Sequence, residues 1–420
     1  MMMASTGKAQ TLPLPGMENI ATLEEAGGGG IPSDWQTVLL KDVATSLYGG
    51  GTPSTKHPEY WNGEIPWTTS AYLGDAINFT KAPKCISHQG LTNSSSRLVP
   101  RDNLLIGTRV GIGKVAVNRI EVAISQDLTA LVVDKSFADE TFLAYALRSS
   151  RVQVIFQQAA RGTTIKGVSR TEITQIPISL PPLPEQRAIA HVLGTVQRAI
   201  EASDRVLAAT RELKRSLMRH LFTYGPVPLD QAERVALKET EVGWVPERWE
   251  TTALGDVATL QRGNDLPTAQ RKEGPYPVVG SNGIVGHHSE FIAHGPGVLV
   301  GRSGSVGAVS WVGEDYWPLN TSLWVRDFHG NDALFVYYFL SHIDLSQYSA
   351  GVSVPTLNRN LVHPVKVGKP PIPIQRQISS SLSTVDRGFS VEQDRKQALE
   401  ALFQSLLHHL MTGKVRVKAA

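Results

Sequence analysis

A single cysteine, Cys85, stands among 420 residues. That excludes a disulfide framework, and it excludes a zinc site built from several thiolates of one chain. A reducing, cytoplasmic setting is the expectation. No apolar run reaches the roughly 18–20 residues that a membrane span needs, so no membrane is expected as a partner. Residues 1–30 lack the apolar core of a signal peptide and end in Gly27 to Gly30, which reads as a flexible N-terminal tail. Charge is nearly balanced, with 41 basic against 38 acidic residues and a net of +3. This excludes a globally basic histone-like binder and leaves a local basic surface open.

Catalytic motifs are missing as well. There is no Asp/Asn-Pro-Pro-Tyr/Phe tetrapeptide of amino-methyltransferases and no G-x-S-x-G elbow. The nearest approach to a phosphate loop, Gly107 to Lys114, has the wrong spacing and Val115 where Ser or Thr must meet magnesium. A glycine-rich strand turn is the plainer reading of it. His287-His288 and His408-His409 are adjacent pairs, without the i,i+4 spacing of helical metal ligands. No catalytic residue, metal site or cofactor is expected in this chain.

What is present is a long internal repeat, which sets the architecture. IPSDWQTVLLKDVAT (31–45) returns as VPERWETTALGDVAT (245–259), with eight of 15 positions identical. Residues 181–223, opening PPLPEQRAIA, return at 370–412, opening PPIPIQRQIS, with 17 of 43 identical. Between these ends the copies diverge, and the first is 25 residues longer. Only landmarks survive there. GTRVGIGKV (107–115) parallels GRSGSVGAV (301–309), and SQDLTALVV (125–133) loosely parallels LNTSLWVRD (319–327). A repeated scaffold with divergent interiors implies one task performed twice on two different targets.

The repeated tail reads as a helix of about 38 residues in each copy, starting near Pro184 and ending at Gly225-Pro226 or Gly413. Apolar residues recur in heptad register, so the two helices are expected to pack on each other. The packing or partner-subunit candidates are Gln186, Arg187, Ile189, Leu193, Val196, Ile200, Leu207, Leu213 and Leu217 in the first helix. In the second they are Gln375, Arg376, Ile378, Leu382, Val385, Phe389, Leu402 and Leu406. The interiors read as α/β globules, with helices expected over 141–160 and 333–350 and short β-branched strands around them.

Polar loops of these interiors carry the nucleic-acid candidates, because such side chains suit phosphate positioning and base-edge reading. In the first copy they are Ser54, Lys56, Tyr60, Asn62, Thr68, Arg109, Lys114, Thr163, Lys166 and Arg170. In the second they are Arg262, Asn264, Arg271, Lys272, Ser281, Asn282, His287, His288, Arg302, Ser303, Ser305, Asn320, Asn358 and Arg359. Arg170 and Arg359 close equivalent small polar loops, where a DNA contact and a structural ion pair are both open readings. Arg302 faces a neutral Thr108 at the equivalent point of the first copy.

With PPLPEQ opening a long helix and nearly repeated, and with GTPSTKHPEYWNGEIPW, YPVVGSNGIVGHH and GPGVLVGRSGSVG between, the chain resembles the DNA-specificity (S) subunit of type I restriction-modification enzymes over about residues 31–412. The resemblance implies an α+β fold in which two α/β target-recognition domains form a pseudo-two-fold repeat, separated by two long antiparallel coiled-coil helices. The expected segments are residues 31–180 and 245–369 for the recognition domains and 181–224 and 370–412 for the helices. Residues 225–244 are expected as a linker and 413–420 as a C-terminal tail. It further implies that each domain reads one half of a bipartite asymmetric site in double-stranded DNA, while the helices set the spacer. The implied partners are two methyltransferase (M) subunits and, through them, restriction (R) subunits. S-adenosylmethionine, ATP and magnesium would belong to those partners. Ile374 departs from the pattern where the first copy has Glu185. Two rival readings are a solitary S-like DNA-binding regulator without a methyltransferase, and a fused methyltransferase. The missing tetrapeptide argues against the latter.

Overall fold

The structure, a computed structural model, describes residues 23–25, 31–160, 167–351 and 355–417. They fall into two units, one of residues 1–202 with 395–420 and the other of residues 203–394. Each unit is a globule plus one half of each long helix. The long helices are Leu183–Tyr224 and Ile372–Met411. Each is followed by a glycine with positive φ, Gly225 at 82° and Gly413 at 68°, a conformation that only glycine adopts without strain.

In the first unit, strand Ala44–Gly49 pairs with Leu128–Val133, which pairs with Asn103–Gly107, then Val115–Asn118 and Asn78–Phe79. Asn103–Gly107 is buried along its whole length, which explains its unbroken NLLIG run. A second sheet pairs Lys84–Ile86, Ile65–Thr68, Val122–Ile124 and Arg97–Val99. In the second unit the equivalent core is Thr259–Arg262, Ser322–Asp327, Gly297–Gly301 and Val309–Val312. Its smaller sheet is Gly283–His288, Tyr276–Gly280 and Trp317–Pro318. Both units carry a bulge between the first two core strands, but on opposite partners: the extra residue is Thr45 in the first unit and Arg326 in the second. The extra length of the first copy lies mainly between Thr68 and Asn103, where helix His88–Thr92 and its flanking strands replace a plain hairpin.

Within each unit the two long helices run antiparallel. In the first, Ile189 and Leu193 share a core with Leu407 and Leu410, and Val196 and Ile200 pack with Leu399 and the partly buried Leu406. In the second, Leu221, Phe222 and the partly buried Leu217 share a core with Ile378 and Leu382. A glutamine fastens each helix start to its globule. Gln186 accepts from the Asp139 N–H at 2.9 Å and donates to the Pro181 carbonyl at 2.9 Å. Gln375 does the same with the Asp332 N–H and the Pro370 carbonyl, both at 2.9 Å. Asp139 and Asp332 in turn cap helices Glu140–Arg148 and Ala333–His342. This is the physical reason for the repeated Gln of PPLPEQ and PPIPIQ.

Several expectations need correction. The helix expected over 141–160 breaks at Ser149, whose backbone is extended and whose hydroxyl bonds the Ala146 carbonyl at 2.6 Å. The one expected over 333–350 stops at His342, because Asp344 caps a separate short turn, Leu345–Tyr348, and Ser349–Ala350 then pairs with Thr356–Leu357. The expected linker 225–244 is folded: it holds the turn Leu229–Arg234 and most of hairpin Leu237–Thr240/Gly243–Pro246, which buries Val245 in the second core. Both expected tails contribute a strand, Leu23–Glu25 pairing with Val415–Val417. Gln186 and Gln375 are buried, 1% and 0% exposed, so they are scaffold residues and not partner-facing ones. Leu213 and Leu402 are 56% and 40% exposed and lie outside the packed seam. Val385 and Phe389 are half-buried, the Phe389 ring lying 5.0 Å from the Arg211 guanidinium, and Leu207 is buried.

Candidate nucleic-acid interface

One scaffold of backbone hydrogen bonds is built in both units. In the first, the Thr108 N–H donates to the Asp127 carbonyl at 2.9 Å, and the Thr108 carbonyl accepts from the Val168 N–H at 2.9 Å. In the second, the Arg302 N–H donates to the Thr321 carbonyl at 2.8 Å, and the Arg302 carbonyl accepts from the Leu357 N–H at 2.8 Å. Both residues follow a glycine at the mouth of a tight hairpin. A Cβ on Gly107 would stand 2.4 Å from the Gly111 carbonyl oxygen, and one on Gly301 would stand 1.9 Å from that of Ser305. The glycine-rich segments are therefore strand turns.

The side chains placed on this common frame differ. In the second unit Arg262, Arg302, Asn358 and Arg359 line one cleft of about 340 Å³, and no carboxylate lines it among the described residues. Arg262 ends a core strand opposite Leu323. Arg359 is the first residue of helix Arg359–Val362, capped by Asn358, whose side chain accepts from the Asn360 N–H. The Arg302 guanidinium donates to the Asn320 carbonyl at 3.4 Å. Burial, and next the nearby Arg262 charge, push the Arg302 pKa below the usual arginine value. A Cβ on Gly304 would stand 3.4 Å from the Ser281 hydroxyl, so the turn after Gly301 and the turn after Gly280 meet.

In the first unit the equivalent strand position, opposite Thr129, is Gly49, and Arg302 is replaced by the buried Thr108. Arg170 corresponds to Arg359, likewise opening a short helix, here capped by Ser169. Its guanidinium lies 3.5 Å from where a Gly49 Cβ would stand. The nearby carboxylate of Asp127 is also particular to this unit. Burial opposes its ionisation, but hydrogen bonds from the Ser125 and Ser70 hydroxyls hold its pKa below the usual carboxylate range.

The remaining candidates divide by exposure. Ser54, Lys56, Asn62, Arg109, Lys114 and Arg170 are exposed in the first unit, as are Arg262, Asn264, Lys272, Asn282, His287, Ser305, Asn358 and Arg359 in the second. Tyr60, Ser281, Ser303 and Asn320 are half-buried. Tyr60 stacks on His57 with ring centres 4.8 Å apart. Asn320 donates its amide to Asp265. Thr163 and Lys166 lie outside the described residues. Two candidates are corrected. Thr68 is wholly buried, and its carbonyl accepts from the Ser125 N–H. His288 is 4% exposed, accepts from the Lys272 N–H at 3.0 Å and packs edge-on to Trp317. Arg271 braces its own loop by donating to the Val285 carbonyl at 3.0 Å.

A further network escaped the sequence reading. The Glu185 carboxylate, 6% exposed, accepts from the Trp35 indole at 3.2 Å and from Arg416 at 2.6 and 2.8 Å. Arg416 also donates to Asp34 at 2.7 and 3.0 Å. In the second unit Ile374 replaces Glu185, and the buried Trp249 indole N–H has no hydrogen-bond partner among the described residues. The swap was visible in the sequence; the partner 231 residues away was not.

Comparison with known proteins agrees with this duplicated design. A relative, the putative type I restriction enzyme MjaX specificity subunit of Methanocaldococcus jannaschii, is 25% identical, covering 93% of this chain and 96% of its own length. The type I restriction enzyme EcoprrI specificity subunit of Escherichia coli is 24% identical, covering 88% and 91%. In fold, the chain is similar to the crystal structure of a type I restriction-modification system S subunit from M. genitalium, with a TM-score of 0.65 at 17% identity, covering 92% of this chain and 97% of that one. The type I restriction modification DNA specificity domain matches twice, at residues 32–208 and 246–401. Those two matches coincide with the two copies of the scaffold, and the chain belongs to the family of type I restriction modification DNA specificity domains.

Proposed function

We propose that this chain is the specificity subunit of a type I restriction-modification complex, and that each unit reads one half of a bipartite, asymmetric DNA site. The observation that carries this is the common backbone frame bearing different side chains: Gly49, Thr108 and Arg170 in one unit, Arg262, Arg302 and Arg359 in the other. A frame held constant while its polar residues change is what two readers with different targets require. The exposed loop residues of each unit are the DNA-facing candidates. The chain itself is non-catalytic on this reading. Methyl transfer would be done by two methyltransferase subunits carrying S-adenosylmethionine, and cleavage by restriction subunits using ATP and magnesium, all in the cytoplasm. Among the described residues, no helix is long and apolar enough to cross a membrane.

The test is an exchange of residues 50–175 for the equivalent stretch of a relative with a known methylated motif. Methylation sequencing of cells carrying the assembled complex is expected to show one altered half-site and one retained. A change in both halves would refute the two-reader arrangement.

A further inference from the structure

Three arginines line the second unit's cleft, Arg262 close enough to Arg302 to act on its charge, and no carboxylate is among the described lining residues. The approach is built in. Arg262 ends a core strand, Arg302 is held through both its backbone N–H and its carbonyl, and Arg359 follows a capping asparagine. We propose that Arg262, Arg302 and Arg359 form a phosphate-binding site that seats one phosphodiester of duplex DNA, and that the first unit lacks its counterpart. The inference rests on the DNA-reading role proposed above and adds a division of labour to it: the second unit supplies a salt-sensitive grip that the first does not.

The choice of phosphate over a base edge follows from charge. A guanine edge is neutral and engages one guanidinium fork. It would offset none of the three positive charges and would hydrogen-bond only one of the arginines. A phosphate oxyanion accepts several charge-assisted hydrogen bonds at once and suits the arginine fork. Burial first, and the Arg262 charge second, disfavour the charged form of Arg302, and a bound anion would favour it again. In the first unit the same three points carry one arginine, a glycine and a buried threonine, whose hydroxyl is already committed to the Asp127 carbonyl at 3.1 Å.

The experiment is the salt dependence of binding by the full-length chain, measured by fluorescence anisotropy on a labelled 30-base-pair duplex of mixed sequence. One neutralised phosphate contributes a slope of about −0.9 in log K against log salt, which is about 3.5-fold in affinity between 50 and 200 mM KCl. Arg302→Gln and Arg359→Gln are each expected to reduce the slope by up to that amount, and Arg302→Lys to keep it. Gly49→Arg is expected to steepen the slope by a similar amount, since a Cβ there meets nothing closer than 3.5 Å. Arg215→Gln, whose parent side chain is paired with Glu212 on the helix, serves as the unchanged control. Thermal melting checks that each variant is folded. If the native chain binds the duplex and folded Arg302→Gln and Arg359→Gln keep its slope, the phosphate site is refuted while the DNA-reading role stands. A slope lowered equally by Arg302→Lys and Arg302→Gln would refute it too, because counterion release depends on the charge that both arginine and lysine carry. If the native chain binds no duplex even at 50 mM KCl, the DNA-reading role itself fails.

Discussion

Replacing Glu185 by the residue its own repeat carries, Glu185→Ile, tests how the first unit is held together. The wild-type carboxylate is nearly buried and takes three hydrogen bonds, two from Arg416 and one from the Trp35 indole. Removing one partner of a buried ion pair costs about 3–5 kcal/mol when the other charge is left alone. Here Arg416 keeps Asp34, and its side chain is 27% exposed, so the loss is reduced. The orphaned indole N–H adds about 1–3 kcal/mol. The isoleucine recovers part of this through apolar burial, about 1 kcal/mol or more. The expected net loss is about 2–4 kcal/mol, which for a unit of this size lowers its melting temperature by roughly 4–16 °C. Thermal and urea unfolding followed by circular dichroism measure it. In a double-mutant cycle, Arg416→Met is expected to couple to Glu185→Ile by at least about 1 kcal/mol. Additive losses, or an unchanged melting temperature, would refute the reasoning. Acid has a defined effect too. The Arg416 hydrogen bond holds the Asp34 pKa below its ordinary 3.8. Its stabilisation is therefore fully present above that value and fades as pH falls through the lowered folded-state pKa.

Gln375→Leu is expected to cost about 1–3 kcal/mol by leaving the Asp332 N–H and the Pro370 carbonyl unsatisfied, as read from urea midpoints; equal stability would deny the glutamine its fastening role. Leu213→Glu, at a site 56% exposed, is expected to change stability by no more than about 0.5 kcal/mol, and a larger loss in the same assay would place Leu213 in a packed seam. Deleting Ser203 to Val206 removes about 6 Å of the first long helix and turns the remainder by about 40°. At about 3.4 Å per base pair the methylated motif should keep both half-sites while its spacer shifts by one or two base pairs. An unaltered spacer in an assembled complex would mean that the helix does not set it.

How much of this was legible beforehand depends on the range of each interaction. The two long helices, their ending glycines and the duplicated core strands were all readable from periodicity and repetition, because each rests on local spacing or on the copying of a whole unit. The break at Ser149 was not, since a serine inside an apolar helical pattern signals nothing until its hydroxyl has an acceptor. Nor was the folding of residues 225–244, whose hairpin is fixed by burying Val245 under the second core.

The candidate site shows the same division. Residue chemistry alone marked the arginines, lysines and asparagines of the divergent loops, and repetition alone marked the exchange of Arg302 for Thr108. Exposure and company were decided by tertiary structure. Thr68 and His288 looked like their neighbours in sequence, yet one is buried between sheet strands and the other is closed in by Trp317 and the Lys272 N–H. Arg262 and Arg359 lie 97 residues apart and share a cleft because the return of the core strand and the capped turn after Leu357 bring them together. Helical periodicity and repeat boundaries are properties of neighbouring residues and survive in a linear string. Burial, charge balance and the meeting of distant side chains depend on which surfaces the folded chain closes, and only the three-dimensional packing determines that.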